Sequence, residues 1–150
     1  MAEYWHITWV THNSRISQRM IDYKAKRNEG IRLDENAEIM ITKIISDIVN
    51  KYQFKIFAYN ICQDHIHMII ESDLHRLSDT VKILKGLSAV NYKDIIGIHR
   101  KESYHLWAQK YNKWRIETDV QFRNTMSYII CNRQKHMLSE NKGLKPLVLL

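Results

Sequence analysis

The sequence predicts an α+β fold, an antiparallel sheet with helices packed on one of its faces. Segments with strand-like alternation and segments with helical periodicity follow one another as strand, helix, strand, strand, helix, strand, helix. The second and third strands are separated by a turn short enough for a hairpin. Of the 150 residues, 45% are hydrophobic, and the chain contains no repeat or linker, so we expect one domain over residues 1–150.

The first half of the chain supplies two strands and a helix. Residues 4–11 alternate aromatic and β-branched side chains and predict the first strand. Residues 13–30 are polar and basic and predict a long loop. Asp34 is a candidate N-cap for a helix whose apolar positions continue to about Lys51. Alternation returns in residues 53–60 and predicts the second strand, followed by a turn at Gln63 and Asp64.

The second half begins with a short apolar strand at residues 64–70. Ser78 is the predicted N-cap of a second helix, and Gly97 is predicted to end it. Residues 109–116 are consistent with a fourth strand. Thr118 or Asp119 then caps a third helix that we expect to extend to about Leu138.

Composition narrows the class of partner. The net charge is +7 and the pI about 9.4, which favours a polyanion, nucleic acid first and an acidic membrane surface second. Cys62 and Cys131 form no paired motif, so we expect two buried thiols in a reducing, cytoplasmic protein. There is no signal-peptide pattern or membrane-length apolar run, and the four glycines form no phosphate loop, which argues against a membrane protein or a nucleotide cofactor.

The sequence His65-Ile66-His67 lies in the predicted third strand. Strand side chains alternate, so the two imidazoles share one face, about 6.8 Å apart along the backbone, where they can bind one ion or phosphate. Taken alone, the pattern is more typical of two surface histidines on a half-exposed strand.

The predicted third helix has an apolar stripe and a polar one. The apolar stripe comprises Phe122, Met126, Ile129 and Met137, and the polar one Gln121, Thr125, Tyr128, Asn132 and Lys135. Tyr128 and Asn132 are one turn apart and can present a hydroxyl nucleophile beside an amide ligand. With His65 and His67, Asn132 would complete a three-ligand metal site at which Tyr128 attacks a phosphate. An ordinary amphipathic helix with one exposed tyrosine is the simpler alternative.

These residues resemble the single-tyrosine HUH transposases, which include insertion-sequence transposases and the REP-associated tyrosine transposases. His65-Ile66-His67 matches the histidine–hydrophobic–histidine motif. The similarity also covers four further segments, residues 5–11, 81–88, 106–107 and 128–132. It spans the chain from about Tyr4 to His136.

The resemblance implies a ferredoxin-like (RRM-like) fold and strand cleavage and joining of single-stranded or hairpin DNA without ATP. Tyr128 would be the nucleophile, forming a 5′-phosphotyrosine bond and leaving a free 3′ hydroxyl. His65, His67 and Asn132 would bind a divalent cation, Mg²⁺ or Mn²⁺. It also implies a homodimer, to which the apolar tail 147–150 could contribute. Asn132 is followed by Arg133, where REP-associated members often have Pro, so the subgroup stays open.

The basic side chains predict where DNA phosphates are bound. They are Arg15, Arg19, Lys24, Lys26, Arg27, Lys82 and Lys85. Trp5, Trp107, Tyr111 and Trp114 are candidates for base stacking, although each fits a core position as well. A non-catalytic module that binds hairpin DNA or RNA on the same fold remains the alternative function. A histidine-triad hydrolase is disfavoured because Ile69 stands where its third histidine would be.

Overall fold

A computed structural model of the chain describes residues 2–12, 31–98 and 104–147. Its strands are β1 (Glu3–Val10), β2 (Lys55–Cys62), β3 (His65–Ser72) and β4 (Asn112–Ile116). Its α-helices are α1 (Glu35–Tyr52), α2 (Leu74–Ile96), α3 (Asp119–Ile130) and the short α4 (Asn132–Lys135), followed by a 3-10 helix, Lys142–Leu147. Over these residues the predicted order of strands and helices is confirmed. The predicted loop at 13–30 lies outside the described residues.

The four strands form one antiparallel sheet in the order β2-β3-β1-β4. β3 lies at its centre, between β2 and β1, and its register pairs His67 with Thr8 of β1 and with Asn60 of β2. The histidine strand is therefore hydrogen-bonded on both sides. The sheet supports the fold class expected from the sequence, α+β with helices packed on an antiparallel sheet.

One face of the sheet carries the main core. Alternate residues of β1 and β3, such as Ile7 and Met68, are fully buried beneath α1 and α2. Asp34 caps α1 as predicted, because its side-chain oxygen accepts a hydrogen bond from the Ala37 amide at 2.7 Å. Trp5 and Trp107 are also buried here, at 6% and 7% exposure, so they occupy core positions and are not placed to stack on bases.

The opposite face carries the two histidines of β3 and is covered in part by α3. A second, smaller apolar cluster joins Ala58, Ile69, Ile116 and Ile129 across this face. The expectation that all helices lie on one side was therefore wrong. Periodicity shows that α3 has an apolar stripe, but it does not show which face of a two-sided sheet that stripe covers.

Two helix boundaries differ from those predicted. α2 begins five residues earlier than expected, with Asp73 at the N-cap in place of Ser78. Thr118 caps α3 as predicted, but α3 ends at Ile130 instead of continuing to Leu138. The side-chain amide of Asn60 donates to the Ile129 carbonyl at 2.8 Å, and this bond takes a carbonyl that a continuous helix would use.

Several smaller expectations also fail at this end of α3. Met137 is 95% exposed and does not continue the apolar stripe. Cys131 is exposed, whereas Cys62 is buried as expected. Over the described ranges, no helix combines the length and apolar character needed to cross a membrane.

Candidate active site

A cleft opens on the histidine face of the sheet, between α3 and β4. Its volume is about 330 Å³. The side chains around it include His65, His67, Tyr111, Trp114, Tyr128 and His136. The cleft therefore lies where β3, which carries the histidines, faces the C-terminal end of α3.

His65 is buried and is held at both ring nitrogens. Its Nδ1 lies 2.7 Å from Oδ1 of Asp64, and its Nε2 lies 2.7 Å from Oδ1 of Asn132. Burial disfavours the charged ring, but hydrogen bonds with Asp64, Cys62 and Asn132 outweigh burial and raise the pKa of His65 to about 10. A cation that binds through Nε2 would therefore have to displace a proton from that atom.

Asn132, the first residue of α4, is fully buried against β2 and β3. Its Oδ1 faces His65 and also accepts a hydrogen bond from the Cys62 thiol at 3.2 Å. Its Nδ2 has no hydrogen-bond partner among the described residues. Both polar interactions thus fall on the oxygen, which is the atom of an amide that binds metal ions.

His67 lies beside His65, and their rings meet edge to face with centroids 5.0 Å apart. Burial, together with coulombic interactions with His65, His6, His136 and Lys135, lowers the pKa of His67 to about 3. The ring is therefore neutral at physiological pH, which is the form that binds a metal. Its Nδ1 shares a 2.9 Å hydrogen bond with Nε2 of His6.

These donors fit a divalent cation of the Mg²⁺ or Mn²⁺ type. An imidazole nitrogen and an amide oxygen already face each other at 2.7 Å, with a second imidazole alongside. In the described part of the chain, no three His, Cys, Asp or Glu side chains form a metal-binding cluster. A three-ligand site in this cleft therefore requires the amide of Asn132.

Tyr128 projects from the last turn of α3 toward His67 and His6. Its ring lies edge-on to His67, with centroids 5.4 Å apart, and the side chain is 39% exposed. The ammonium group of Lys135 donates a hydrogen bond to the phenol oxygen at 3.2 Å and also lies 4.3 Å from the ring centroid. The hydroxyl is thus accessible from the cleft and has a positive charge beside it.

The structure brings His65, His67, Asn132 and Tyr128 together, and the roles assigned to them from the sequence stay predictions. Sequence reasoning gave no role to three of their neighbours, which are His6, Asp64 and Lys135. For His6 a signal was present, because alternation in β1 places it on the face opposite Trp5 and Ile7. That signal becomes useful only once β1 is known to lie beside β3.

The predicted phosphate-binding residues are distributed differently. Lys85 donates hydrogen bonds to the backbone carbonyls of Ala108, Gln109 and Lys110, at 2.8, 3.1 and 3.2 Å, so its ammonium holds the segment that leads into β4. Lys82 is exposed on α2 and does not line the cleft. Arg15, Arg19, Lys24, Lys26 and Arg27 lie outside the described residues.

The aromatic side chains of β4 and the segment before it complete the cleft. Trp114 is 52% exposed, and its ring lies 5.1 Å from that of His6. Tyr111 and Lys110 also line the cleft. An exposed indole beside a basic, histidine-lined cleft can stack on a nucleobase.

A sequence profile described as IS200-like transposase matches residues 3–132. The chain belongs to the IS200-like transposase family. The match covers all four strands and α1 to α3 and ends at Asn132. Comparison of this family member with curated proteins found no significant match.

Two solved structures share its fold. The structure of a REP-associated tyrosine transposase bound to a REP hairpin is 18% identical, with a TM-score of 0.59, and the alignment covers 89% of this chain and 68% of that one. A Deinococcus radiodurans R1 protein described as a candidate transposase is 16% identical, with a TM-score of 0.51 and coverage of 93% and 94%. At identities of 18% and 16%, the two structures establish the fold of this transposase chain.

Proposed function

We propose that this chain is a single-tyrosine transposase that cuts and rejoins single-stranded DNA through a 5′-phosphotyrosine intermediate. The observation that carries the proposal is the convergence of an accessible phenol, two imidazoles and a buried amide oxygen in one cleft. Each group comes from a different position in the chain, and the fold holds them within a few ångströms of one another.

The proposed cleavage step is an attack by Tyr128 on a DNA phosphate. A divalent cation bound by His65, His67 and Asn132 would polarise the scissile phosphate and offset its negative charge. The Tyr128 oxygen attacks phosphorus, the new tyrosine–phosphorus bond forms, and the bond from phosphorus to the 3′ oxygen breaks. The phenol gives up its proton to solvent or to a phosphate oxygen, and the departing 3′ oxygen takes up a proton.

Rejoining reverses these steps with a second 3′ hydroxyl as the attacking group. Because the phosphotyrosine bond replaces the phosphodiester bond, no nucleotide has to be hydrolysed. Lys135 is placed to stabilise negative charge on the phenol oxygen when tyrosine attacks and when it leaves.

The substrate we propose is single-stranded DNA that carries a hairpin. The net charge of +7 and the exposed indole at the cleft favour a single-stranded polyanion. The fold is shared with a REP-associated tyrosine transposase solved with a REP hairpin. Residues 1–150 would act as one catalytic domain, paired as a homodimer. The tail 148–150, part of the predicted dimer surface, lies outside the described residues.

The decisive experiment is a denaturing gel with end-labelled hairpin DNA and Mn²⁺. The wild-type protein should form a shifted band that protease removes. Tyr128→Phe should bind the DNA and form no such band. Tyr111→Phe is the matched control, because Tyr111 lines the same cleft from the segment before β4 and not from α3; its band should persist.

Two results would count against the proposal. A protease-sensitive band in Tyr128→Phe would show that another residue is the nucleophile. A wild-type protein that binds the hairpin tightly but forms no band in any divalent cation would support the non-catalytic binding module instead.

A further inference from the structure

His6 is a further histidine at this site, and the proposed reaction gives it no part. It lies on β1, whose register places Thr8 opposite His67 and His6 opposite Ile69. His6 and His67 are therefore diagonal neighbours across the β1–β3 pair, a spacing that two aromatic side chains can bridge. Their ring planes are inclined by 29°, with centroids 5.2 Å apart.

The contact between the two rings joins one nitrogen of His6 to one nitrogen of His67. Nε2 of His6 lies 2.9 Å from Nδ1 of His67. A hydrogen bond of this length between two neutral imidazoles contains one proton, so one ring donates and the other accepts. The choice decides whether Nε2 of His67 carries a proton or a lone pair, and a lone pair is what a metal ion requires.

The other histidine of the motif is held by a group of a different kind. Nδ1 of His65 faces the carboxylate of Asp64, and an ionised carboxylate only accepts hydrogen bonds. When a cation displaces the proton on Nε2 of His65, the proton on Nδ1 is therefore held by an acidic neighbour, in the carboxylate–histidine–metal arrangement common at metal sites. His67 is held by another imidazole, which can either donate or accept.

The surroundings hold the His6 ring in place. It lies between His67 and the indole of Trp114, with centroids 5.2 and 5.1 Å away, and the Tyr128 ring is 6.1 Å from it. Three aromatic groups thus restrict the ring, and the Nε2 that contacts His67 stays directed at it.

We infer that His6 is a positioning residue: it accepts a hydrogen bond from Nδ1–H of His67, and this leaves the Nε2 lone pair of His67 directed at the cation. Loss of the acceptor would let His67 adopt the other tautomer or rotate. The inference about the cation rests on the proposed function, whereas the tautomer of His67 is a property of the metal-free protein and can be measured separately.

The first measurement is a long-range ¹H–¹⁵N correlation spectrum of the metal-free protein, with the His67 ring assigned by its loss in His67→Gln. We expect the wild-type ring to carry its proton on Nδ1. In His6→Phe, which keeps a planar ring against Trp114 but has no acceptor, the proton should move to Nε2 or become distributed between the two nitrogens. A wild-type His67 protonated on Nε2 would overturn the inference whether or not the protein cuts DNA.

The second measurement is Mn²⁺ affinity by titration calorimetry with the hairpin and Tyr128→Phe protein, so that no cleavage occurs. Adding His6→Phe should weaken binding by about 10- to 100-fold, the usual effect of losing a group that orients a metal ligand. His6→Gln can place an amide oxygen near the same position and should restore part of the affinity.

His12→Phe is the matched control. His12 lies just beyond β1 and pairs its ring with His105 at 5.4 Å, outside the cleft. Equal Mn²⁺ affinity in His6→Phe and His12→Phe would overturn the positioning role. If the reference protein binds no Mn²⁺ while the spectrum shows the expected tautomer, the metal chemistry fails and the His6–His67 arrangement stands.

Discussion

An ammonium group beside the Tyr128 hydroxyl should matter most when that oxygen becomes charged. Lys135 donates to the phenol at 3.2 Å. We predict that Lys135→Gln slows single-turnover adduct formation by about tenfold, a loss of about 1.4 kcal/mol of transition-state stabilisation. Rates measured at saturating DNA separate this effect from weaker binding.

Two variants make the result specific. Lys135→Arg keeps a positive donor near the phenol and should recover most of the rate. Lys43→Gln removes an exposed lysine from α1, on the other side of the sheet, and should leave the rate unchanged. A Lys135→Gln protein as fast as wild type at saturating DNA would exclude an electrostatic role for this lysine.

At the residue scale, the sequence predicted the members of the site better than their partners. His65 and His67 follow from strand alternation, and Tyr128 and Asn132 from helical spacing, since both patterns are local. His6 and His67 lie on adjacent strands but are 61 residues apart in sequence, and no local periodicity predicts their contact. Lys135 was placed on the same stripe as Tyr128, but spacing alone does not show that its ammonium donates to the phenol oxygen.

At the scale of the helices, a buried ion pair fixes the segment that carries Asn132. Nη1 of Arg133 donates to Oε2 of Glu38 in α1 at 2.7 Å and to the Ile61 carbonyl at 3.0 Å. Glu38 is 1% exposed. We predict that Arg133→Met lowers the free energy of unfolding by about 3–5 kcal/mol in urea titrations, because it leaves a buried carboxylate without its cation.

The stability lost in Arg133→Met should depend on pH, in a direction that follows from the pKa of Glu38. Burial raises the pKa of Glu38, while Arg133 and Asn141 pull it down, so removing Arg133 raises it further. A carboxyl whose pKa is higher in the folded state than in the unfolded state costs stability as pH rises through the folded value. The deficit of Arg133→Met relative to wild type should therefore shrink as the pH is lowered and Glu38 takes up a proton.

Arg115→Met is the comparison. Arg115 forms ion pairs with Glu3 and Glu117 at the surface of β4, where each side chain is at least one-third exposed. We expect a much smaller cost, because solvent screens ion pairs at the surface. Similar losses in Arg115→Met and Arg133→Met, or a deficit that does not change with pH, would contradict the account of Glu38.

The helices also show where local signals are incomplete. α1 has an acidic cap with a side-chain hydrogen bond and was predicted within a residue or two. Asp73 caps α2 without such a bond, so Ser78 was the more typical candidate. The end of α3 is set by Asn60, 69 residues away from the carbonyl it binds, and no local pattern reveals it.

On the scale of the whole molecule, the order of elements and the antiparallel sheet followed from alternation and periodicity alone. The side of the sheet taken by α3 did not, because an amphipathic helix fits either face. That choice places Tyr128 over the histidines and leaves α2, with Lys82, on the other side. Lys110 therefore lines the cleft, whereas Lys82 does not.

The charge of the whole molecule leads to a last prediction, about how DNA binding responds to salt. Each phosphate neutralised in a single strand should contribute about 0.7 to the slope of log affinity against log salt concentration. Fluorescence anisotropy with labelled hairpin DNA would measure that slope for wild type, Lys110→Gln and Lys82→Gln. Lys110→Gln should lower the slope by about 0.7, which is the contribution of one phosphate. A drop of the same size in the slope of Lys82→Gln would show that DNA also contacts α2. An unchanged slope in that variant would show that DNA contacts the cleft face and not Lys82. Wild-type affinity that does not change with salt would refute binding driven by phosphate contacts.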